Sequence, residues 1–429
     1  MKTPVRVTSN TQIYDRTARA AAPNSGDEHT GYLQRGSKEY QLGSLALFAA
    51  GLATFAILYC VQPLFPIYSQ EMGLSPAHVS LALSVSTVLL AVSLPVAGFL
   101  SDRIGRKAVM AISLFLSSLC CLCTAFAPNF TALLIIRAIQ GIVLAGLPAV
   151  AMTYLAEEME EKSLGFAMGL YISGNTVGGL FGRIAVSTIT DHYSWRWGIC
   201  ILALISLLAS VYFWRSLPPS RHFKPKRMNP KAIIGLFAAQ FRDAGLVCLF
   251  ALGAILMGSF VTLYNYLSFR LIEPPFQLSQ TLVGWTFLIY LVGTFSSSWM
   301  GTMSDRLGRG IVLWINVMLM LVGVLLTVSA HLTVVIVGVA VFTFGFFGSH
   351  STASAWVGKR AAAGKAQASA LYLLFYYVGS SIGGTVGGLF WVRFEWTGIV
   401  AMISVMLIIS MAASFLLTHI LPQRARLSA

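Results

Sequence analysis

The chain contains twelve apolar stretches, each long enough to cross a lipid bilayer as one α-helix. About 20 apolar residues are needed to span a hydrocarbon core of about 30 Å, because a helix rises about 1.5 Å per residue. Apolar residues make up 56% of the sequence and charged residues only 10%, with a mean hydropathy of +0.75. Because a soluble domain cannot bury this much apolar surface, the sequence predicts an all-α, multi-pass membrane protein.

The spans are predicted at residues 42–67, 78–100, 107–127, 131–156, 164–189, 197–217, 243–268, 279–303, 310–330, 332–357, 366–391 and 396–420. An even number of spans places both termini on the same side of the membrane. Lys and Arg are retained on the cytoplasmic side. With both termini inside, all but five of the 29 basic residues fall in cytoplasmic segments. The sequence therefore predicts cytoplasmic termini and location in a bacterial inner (plasma) membrane.

The net charge of +14 has a simple explanation in this topology. Basic loops face the anionic inner leaflet, so lipid rather than nucleic acid is the expected partner. The polar residues 1–41 are predicted to be a disordered cytoplasmic tail, and residues 421–429 a second tail. All six cysteines lie inside apolar runs and no Cys/His spacing suggests a metal site, so neither a metal nor a cofactor is expected.

Two repeats divide the chain into halves. Residues 98–106 read GFLSDRIGR and residues 301–309 read GTMSDRLGR, each following the second span of its half. Glycines spaced four residues apart recur in spans five and eleven, at Gly174, Gly178 and Gly182 and at Gly379, Gly383 and Gly387. Such a series makes a smooth helix face for close packing. We therefore predict two pseudo-symmetric six-helix bundles, residues 42–217 and 243–420, joined by a cytoplasmic linker at residues 218–242.

These motifs resemble those of the major facilitator superfamily, over about residues 42 to 420. The loop sequence G-x-x-x-D-R-x-G-R is diagnostic of that family, and GFLSDRIGRK matches it closely. The span-five glycines resemble the motif of its drug/proton antiporter branch, which ends in Gly-Pro-x-x-Gly-Gly. This chain has Gly179 in place of the proline and Arg183 in place of the last glycine. The resemblance implies a secondary-active transporter that exports a small organic solute in exchange for protons.

The resemblance also implies that the repeated loop latches one end of the two halves during alternating access. The residues assigned to this gating role are Gly98, Asp102, Arg103, Gly105 and Arg106, and in the second copy Gly301, Asp305, Arg306, Gly308 and Arg309.

Two arginines are predicted to lie within spans, where a charge costs several kcal/mol without a partner. Arg137 and Gln140 share one helix face in span four, and the second half does not repeat the pair. In the antiporter branch the R-x-x-Q-G arginine is linked to proton transfer, so Arg137, Gln140 and Arg183 are candidates for proton coupling. The alternatives are snorkelling of Arg137 to the interface and interfacial anchoring of Arg183.

Polar and aromatic residues near span centres are candidates for lining a substrate cavity. They are Tyr59, Gln62, Tyr264, Asn265, His350, Tyr372 and Tyr376. His350 could titrate in a proton cycle or make a buried interhelical hydrogen bond. All fifteen acids fall in tails, loops or span ends, which favours a neutral or anionic substrate over a lipophilic cation.

Other functions remain open at this stage. One alternative is a proton-coupled importer of a small anionic or neutral metabolite, and another is a membrane sensor or receptor without transport. A membrane enzyme would need a nucleophile, a metal cluster or paired acids within the spans, and the sequence offers none of these. We therefore expect a monomeric, non-enzymatic transporter whose partners are a small molecule, protons and the bilayer.

Overall fold

The computed structural model describes residues 31–223, 230–361 and 364–419, with residues 230–234 described by their backbone alone. Most of the two predicted tails and part of the linker lie outside these ranges, so the predicted domain boundaries stay predictions. The helices are, in chain order, α1 (Lys38–Tyr59), α2 (Phe65–Met72), α3 (Pro76–Ile104), α4 (Arg106–Ala125), α5 (Phe130–Leu144), α6 (Gly146–Glu158), α7 (Glu161–His192), α8 (Trp195–Ser216), α9 (Pro230–Gln240), α10 (Ala244–Ile272), α11 (Gln280–Trp285), α12 (Tyr290–Leu307), α13 (Arg309–Leu326), α14 (Leu332–Arg360) and α15 (Lys365–His419).

Ten helical segments of the described chain are long and apolar enough to cross a membrane. The glycine-rich α7 is a further long helix, less apolar than those ten. Helix α15 contains two of the predicted spans, separated at Glu395, whose backbone is non-helical (φ 52°, ψ −141°). The predicted all-α multi-pass fold is therefore confirmed, and the predicted spans coincide with helices along the chain.

Three predicted spans are not single helices. The first comprises α1, a 3₁₀ turn at Gln62–Leu64 and α2; the fourth comprises α5 and α6; the eighth comprises α11, a 3₁₀ turn at Thr286–Ile289 and α12. Proline explains two of the breaks, because it has no N–H to donate to the carbonyl four residues earlier. Helix α1 ends at Tyr59, four residues before Pro63, and α5 ends at Leu144, four residues before Pro148.

Both glycine series lie where two helix backbones meet. On α7, a methyl group at Gly174 or Gly178 would collide with the backbone of α1 at Phe48 or Leu52. On α15, Gly379 meets the backbone of α10 at Ala254. Glycine thus allows a closer approach of these helix pairs than any other residue could.

Glycine is required at the same position in both copies of the repeated loop for a different reason. Gly105 (φ 98°) separates α3 from α4, and Gly308 (φ 88°) separates α12 from α13. L-residues rarely adopt a positive φ of this size, so the chain can reverse direction sharply here only with glycine. The turn places the loop's charged residues on the last turn of one helix and the first turn of the next.

Candidate functional site

A cavity of about 140 Å³ lies between helices of the two sequence halves. Its walls come from α1 and α7 on one side and from α10, α12, α14 and α15 on the other. The lining residues are Phe55, Tyr59, Gln62, Asn175, Thr176, Gly179, Arg183, Met257, Phe260, Val261, Tyr290, Phe346, Phe347 and Tyr376. Aromatic side chains dominate this wall, and Arg183 is its one charged residue.

Arg183 is 2% exposed and is held by neutral groups. Its Nε donates to Gln62 Oε1 (2.8 Å) and its Nη1 to the carbonyl of Gly179 (2.6 Å). Its guanidinium carbon lies 4.3 Å from the ring centre of Tyr59 and 4.9 Å from those of Phe287 and Tyr290. Arg183, for which interfacial anchoring was the alternative, thus lies in the cavity wall.

Gln62 connects this arginine to the other half of the chain. Its Nε2 donates to Asn265 Oδ1 of α10 at 2.7 Å, and both side chains are buried. Arg183, Gln62 and Asn265 therefore form one hydrogen-bonded row across the two halves, which we call the amide bridge. Gln62 begins the 3₁₀ turn that separates α1 from α2.

Further hydrogen bonds join the halves near the amide bridge. Ser187 Oγ donates to the carbonyl of Gln280 (2.5 Å), whose side chain donates to the carbonyl of Pro63 (2.6 Å). Ser381 Oγ donates to the carbonyl of Ser84 (2.9 Å). Ser84 lies 18 residues before Asp102 on α3, which is roughly 27 Å along a helix. These contacts, together with the amide bridge, form a seal remote from the repeated loops.

Three of the predicted cavity residues line the cavity, namely Tyr59, Gln62 and Tyr376. The others lie behind its wall. Asn265 belongs to the amide bridge, and the hydroxyl of Tyr264 bonds to Thr343 Oγ1 at 2.7 Å. His350 Nδ1 lies 3.0 Å from the hydroxyl of Tyr372, and the centre of the His350 ring lies 4.7 Å from that of the wall residue Tyr376, with the rings tilted by 40°.

Sequence analysis missed the apolar part of the wall because it selected polar groups. Phe55, Phe260 and Phe346 line the cavity, and each lies four residues before a predicted candidate on the same helix. Residues four apart share a helix face. The predicted candidates Tyr264 and His350 therefore share helix faces with Phe260 and Phe346, and the cavity lies about one helical turn away from them along α10 and α14.

Arg137 and Gln140 lie outside the cavity lining. The Arg137 guanidinium donates to the carbonyls of Ile57 (3.0 Å), Leu58 (2.7 Å) and Ala82 (2.8 Å), and to Gln140 Oε1 (2.7 Å). Gln140 donates in turn to the carbonyl of Ser117 at 3.1 Å. Arg137 thus joins α5 to the last turn of α1, where a cation meets the negative end of the helix dipole, rather than reaching toward the interface.

The two copies of the repeated loop differ in their ion pairs. In the first, Arg106 contacts Asp102 at 2.6 Å and Glu157 at 2.9 Å, and its side chain is 6% exposed. In the second, Arg309 and Asp305 are 3.8 Å apart, and the Asp305 side chain is 69% exposed. Lys359 lies 3.4 Å from the same Asp305 carboxylate, and each of these ion pairs stays within one half of the part of the chain that the structure describes.

Comparison with known proteins agrees with this architecture. The model of the Major Facilitator Superfamily matches residues 47–273. Over 380 residues the chain is 48% identical to the uncharacterized MFS-type transporter YybF of Bacillus subtilis, covering 89% of this chain and 94% of that one. It is 47% identical over 380 residues to the inner membrane transport protein YnfM of Escherichia coli, covering 89% and 91%.

The structure is also similar to that of a bacterial homolog of the human lysosomal transporter Spinster in its inward-facing, unoccupied conformation. The TM-score is 0.76 at 16% sequence identity, covering 92% of this chain and all of that one, so this likeness concerns the fold alone. The family model and the two close relatives concern transporters, which confirms the prediction that the chain is not an enzyme. The chain therefore belongs to the major facilitator superfamily of multi-pass membrane transporters.

Proposed function

We propose that the protein is a secondary-active transporter that exports a small organic solute in exchange for protons by alternating access. The observation that carries this proposal is the cavity itself. Both halves of the chain contribute to its walls, and hydrogen bonds between the halves lie to one end of it. A site with this construction can open to either side of the membrane when the halves rock about it.

The orientation follows from the distribution of basic residues. The repeated loops, with Arg103, Arg106, Arg306 and Arg309, form the basic end of the helices and face the cytoplasm. The seal then faces outward, and the described conformation is the inward-facing one. Both termini lie in the cytoplasm of a bacterial cell, whose inner membrane the protein spans.

Proton coupling and export rest on the resemblance to the antiporter branch. The R-x-x-Q-G sequence of α5 and the glycine series of α7 support this assignment. Arg137 holds the end of α1 through the carbonyls of Ile57 and Leu58, next to the turn that carries Gln62. A change at Arg137 can therefore reach the amide bridge, which makes it the first candidate for coupling.

The proposal is tested by counterflow of labelled solutes in proteoliposomes, after a growth screen of deletion and overexpressing strains has identified the compound. Efflux predicts that a pH gradient, acidic outside, drives the solute out of cells. A gradient that drives uptake instead would establish the alternative, an importer of a small anionic or neutral metabolite. Absence of counterflow for every compound that affects growth would favour a sensor.

The coupling assignment has its own test. When transport of the compound identified by the screen is measured, Arg137→Ala is expected to uncouple that transport from the pH gradient. Transport that survives this substitution with unaltered proton dependence would remove Arg137 from the coupling mechanism while leaving the transport function intact.

A further inference from the structure

The charge of Arg183 has no anionic partner among the described residues. No Asp or Glu carboxylate of the described chain lies within 4.0 Å of its guanidinium, and arginine keeps its charge at physiological pH. Arg106, by contrast, has two carboxylates. Arg183 is thus a nine-tenths buried cation facing a cavity, without a counter-ion.

The aromatic rings around Arg183 compensate its charge only in part. A cation–π contact contributes about 0.5–2 kcal/mol, whereas taking a cation out of water costs several kcal/mol. The rings of Tyr59, Phe287 and Tyr290 and two neutral hydrogen bonds leave a net preference for a negative charge beside the guanidinium. The cavity is the open side on which an anion can approach.

The hydrogen bonds of Arg183 show where the anion would bind. Nη1 is occupied by the Gly179 carbonyl and Nε by Gln62, and Nη2 donates to no described residue. Nε and Nη2 form one edge of the guanidinium, which a carboxylate fits with two parallel hydrogen bonds. Half of this edge is held by an amide oxygen, a weaker acceptor that a carboxylate can replace.

Gly179 and Arg183, the two departures from the antiporter motif, belong to the same feature. A Cβ atom at position 179 would lie 3.3 Å from Nη1 of Arg183 and 3.9 Å from the Tyr59 ring. The glycine therefore leaves the space in which the guanidinium lies. The two departures together place a cation in the cavity wall.

The rest of the cavity wall indicates what the uncharged part of the ligand is like. The side chains of Phe55, Phe260, Phe346 and Tyr376 are aromatic, and the volume of about 140 Å³ is below the roughly 300–1,000 Å³ of pockets for drug-sized ligands. A planar, apolar body of about one ring fits this space.

We propose that the transported solute is a small organic monocarboxylate, whose carboxylate binds the Nε–Nη2 edge of Arg183 and whose apolar body lies among the aromatic side chains of the cavity. The proposal rests on the transport function proposed above and adds the substrate class. Binding displaces Gln62 Oε1 from Arg183 and frees Gln62 to leave Asn265. Occupancy of the cavity thereby loosens the amide bridge and with it the outer seal.

Three probes of one shape test the charge requirement on the purified protein in detergent: benzoate, the neutral benzamide and the cationic benzamidine. We expect saturable binding of benzoate, with benzamide and benzamidine roughly 30-fold weaker or more, measured by calorimetry. Equal or tighter binding of benzamide or benzamidine overturns the proposal, as does the absence of saturable benzoate binding to the wild type. This comparison needs no variant.

Substitutions then assign the charge to Arg183. Arg183→Gln is expected to weaken benzoate binding roughly 30-fold or more, and Arg183→Lys, which keeps the charge but loses the two-bond edge, to weaken it less. The control Arg196→Gln removes an exposed arginine outside the cavity and should bind benzoate like the wild type. Unchanged benzoate affinity in a folded Arg183→Gln overturns the assignment. If that variant does not fold, unchanged affinity in Arg183→Lys, which has no Nε–Nη2 edge, overturns the proposed binding of the carboxylate to that edge.

Transport and substrate class can fail separately. If a neutral or cationic solute shows counterflow and no carboxylate binds, the protein is a transporter but its substrate is not a monocarboxylate. If carboxylates bind in a way that depends on Arg183 but none of them shows counterflow in proteoliposomes, the anion site is supported and the proposed transport function is contradicted.

Discussion

At the scale of single residues, the two arginines inside the membrane are held in different ways. Arg137 donates to three backbone carbonyls and to Gln140, so protein oxygens surround its guanidinium. Arg183 has two neutral acceptors and faces the cavity. The first arrangement stabilises a helix end, and the second leaves donor capacity for a ligand.

Arg137→Gln should therefore destabilise the protein strongly. It removes the charged donor from the buried carbonyls of Ile57 and Leu58 in the last turn of α1, at about 1–3 kcal/mol for each unsatisfied group. We expect a clearly lower thermal unfolding midpoint in detergent, while Arg196→Gln, at an exposed 3.9 Å ion pair, stays close to the wild type. A midpoint of Arg137→Gln equal to that of the control would show that these hydrogen bonds contribute little.

The two loop copies provide a matched pair of substitutions. Asp102→Asn weakens a 2.6 Å contact to an almost buried guanidinium and should cost about 1.5–3 kcal/mol, the usual contribution of a hydrogen bond to a charged group. Asp305→Asn alters an exposed carboxylate that lies 3.8 Å from Arg309 and 3.4 Å from Lys359, and it should cost less than about 1 kcal/mol. Chemical unfolding of both variants measures the difference, and equal losses would contradict the structural asymmetry.

At the scale of elements, the glycine faces determine how closely α7 approaches α1. Gly178→Ala places a methyl group against the backbone of Leu52 and should force the helices apart. Gly169→Ala, on the same helix, meets nothing within 4 Å and should raise stability by about 0.5–1 kcal/mol, because alanine favours the helix. The thermal unfolding midpoints of the two variants test this difference. Equal midpoints for Gly178→Ala and Gly169→Ala would argue against close packing of α7 on α1.

Sequence predicted the helices better than their breaks and the cavity. Because hydropathy identifies segments that avoid water, it predicted the spans and their approximate ends. The breaks at Pro63 and Pro148 were visible as prolines, yet membrane helices often continue through proline, and the sequence alone does not show which carbonyls find other partners. The breaks matter for the site, because Gln62 lies in the 3₁₀ turn of the first span and Tyr290 directly follows the 3₁₀ turn of the eighth, and both line the cavity.

The cavity could be predicted only as a set of helix faces. Tyr59, Gln62 and Tyr376 were found because polar groups inside a span need a purpose. Phe260 and Phe346 were not, because an aromatic residue facing a ligand and one facing a neighbouring helix have the same pattern. Which of these faces meet depends on contacts between the halves, and such distant contacts leave no local periodicity.

At the scale of the whole molecule, the seal between the halves must open if the cavity is to become accessible from the end remote from the repeated loops, as alternating access requires. In a variant without the six native cysteines, Ser84→Cys and Ser381→Cys together should be joined by oxidation across the seal. We expect the oxidised protein to lose counterflow and to regain it with reductant, measured in proteoliposomes. The two single-cysteine variants are the controls, and full counterflow in the cross-linked protein would exclude rocking at this seal.

The unequal loops have a mechanical consequence. The corner between α3 and α4 is braced by Arg106 with two carboxylates, whereas at the corner between α12 and α13 the exposed Asp305 lies 3.8 Å from Arg309 and 3.4 Å from the exposed Lys359. A molecule with one rigid and one flexible corner does not deform evenly. When the halves rock, we expect the N-terminal half to move as a rigid body and the C-terminal half to bend between α12 and α13.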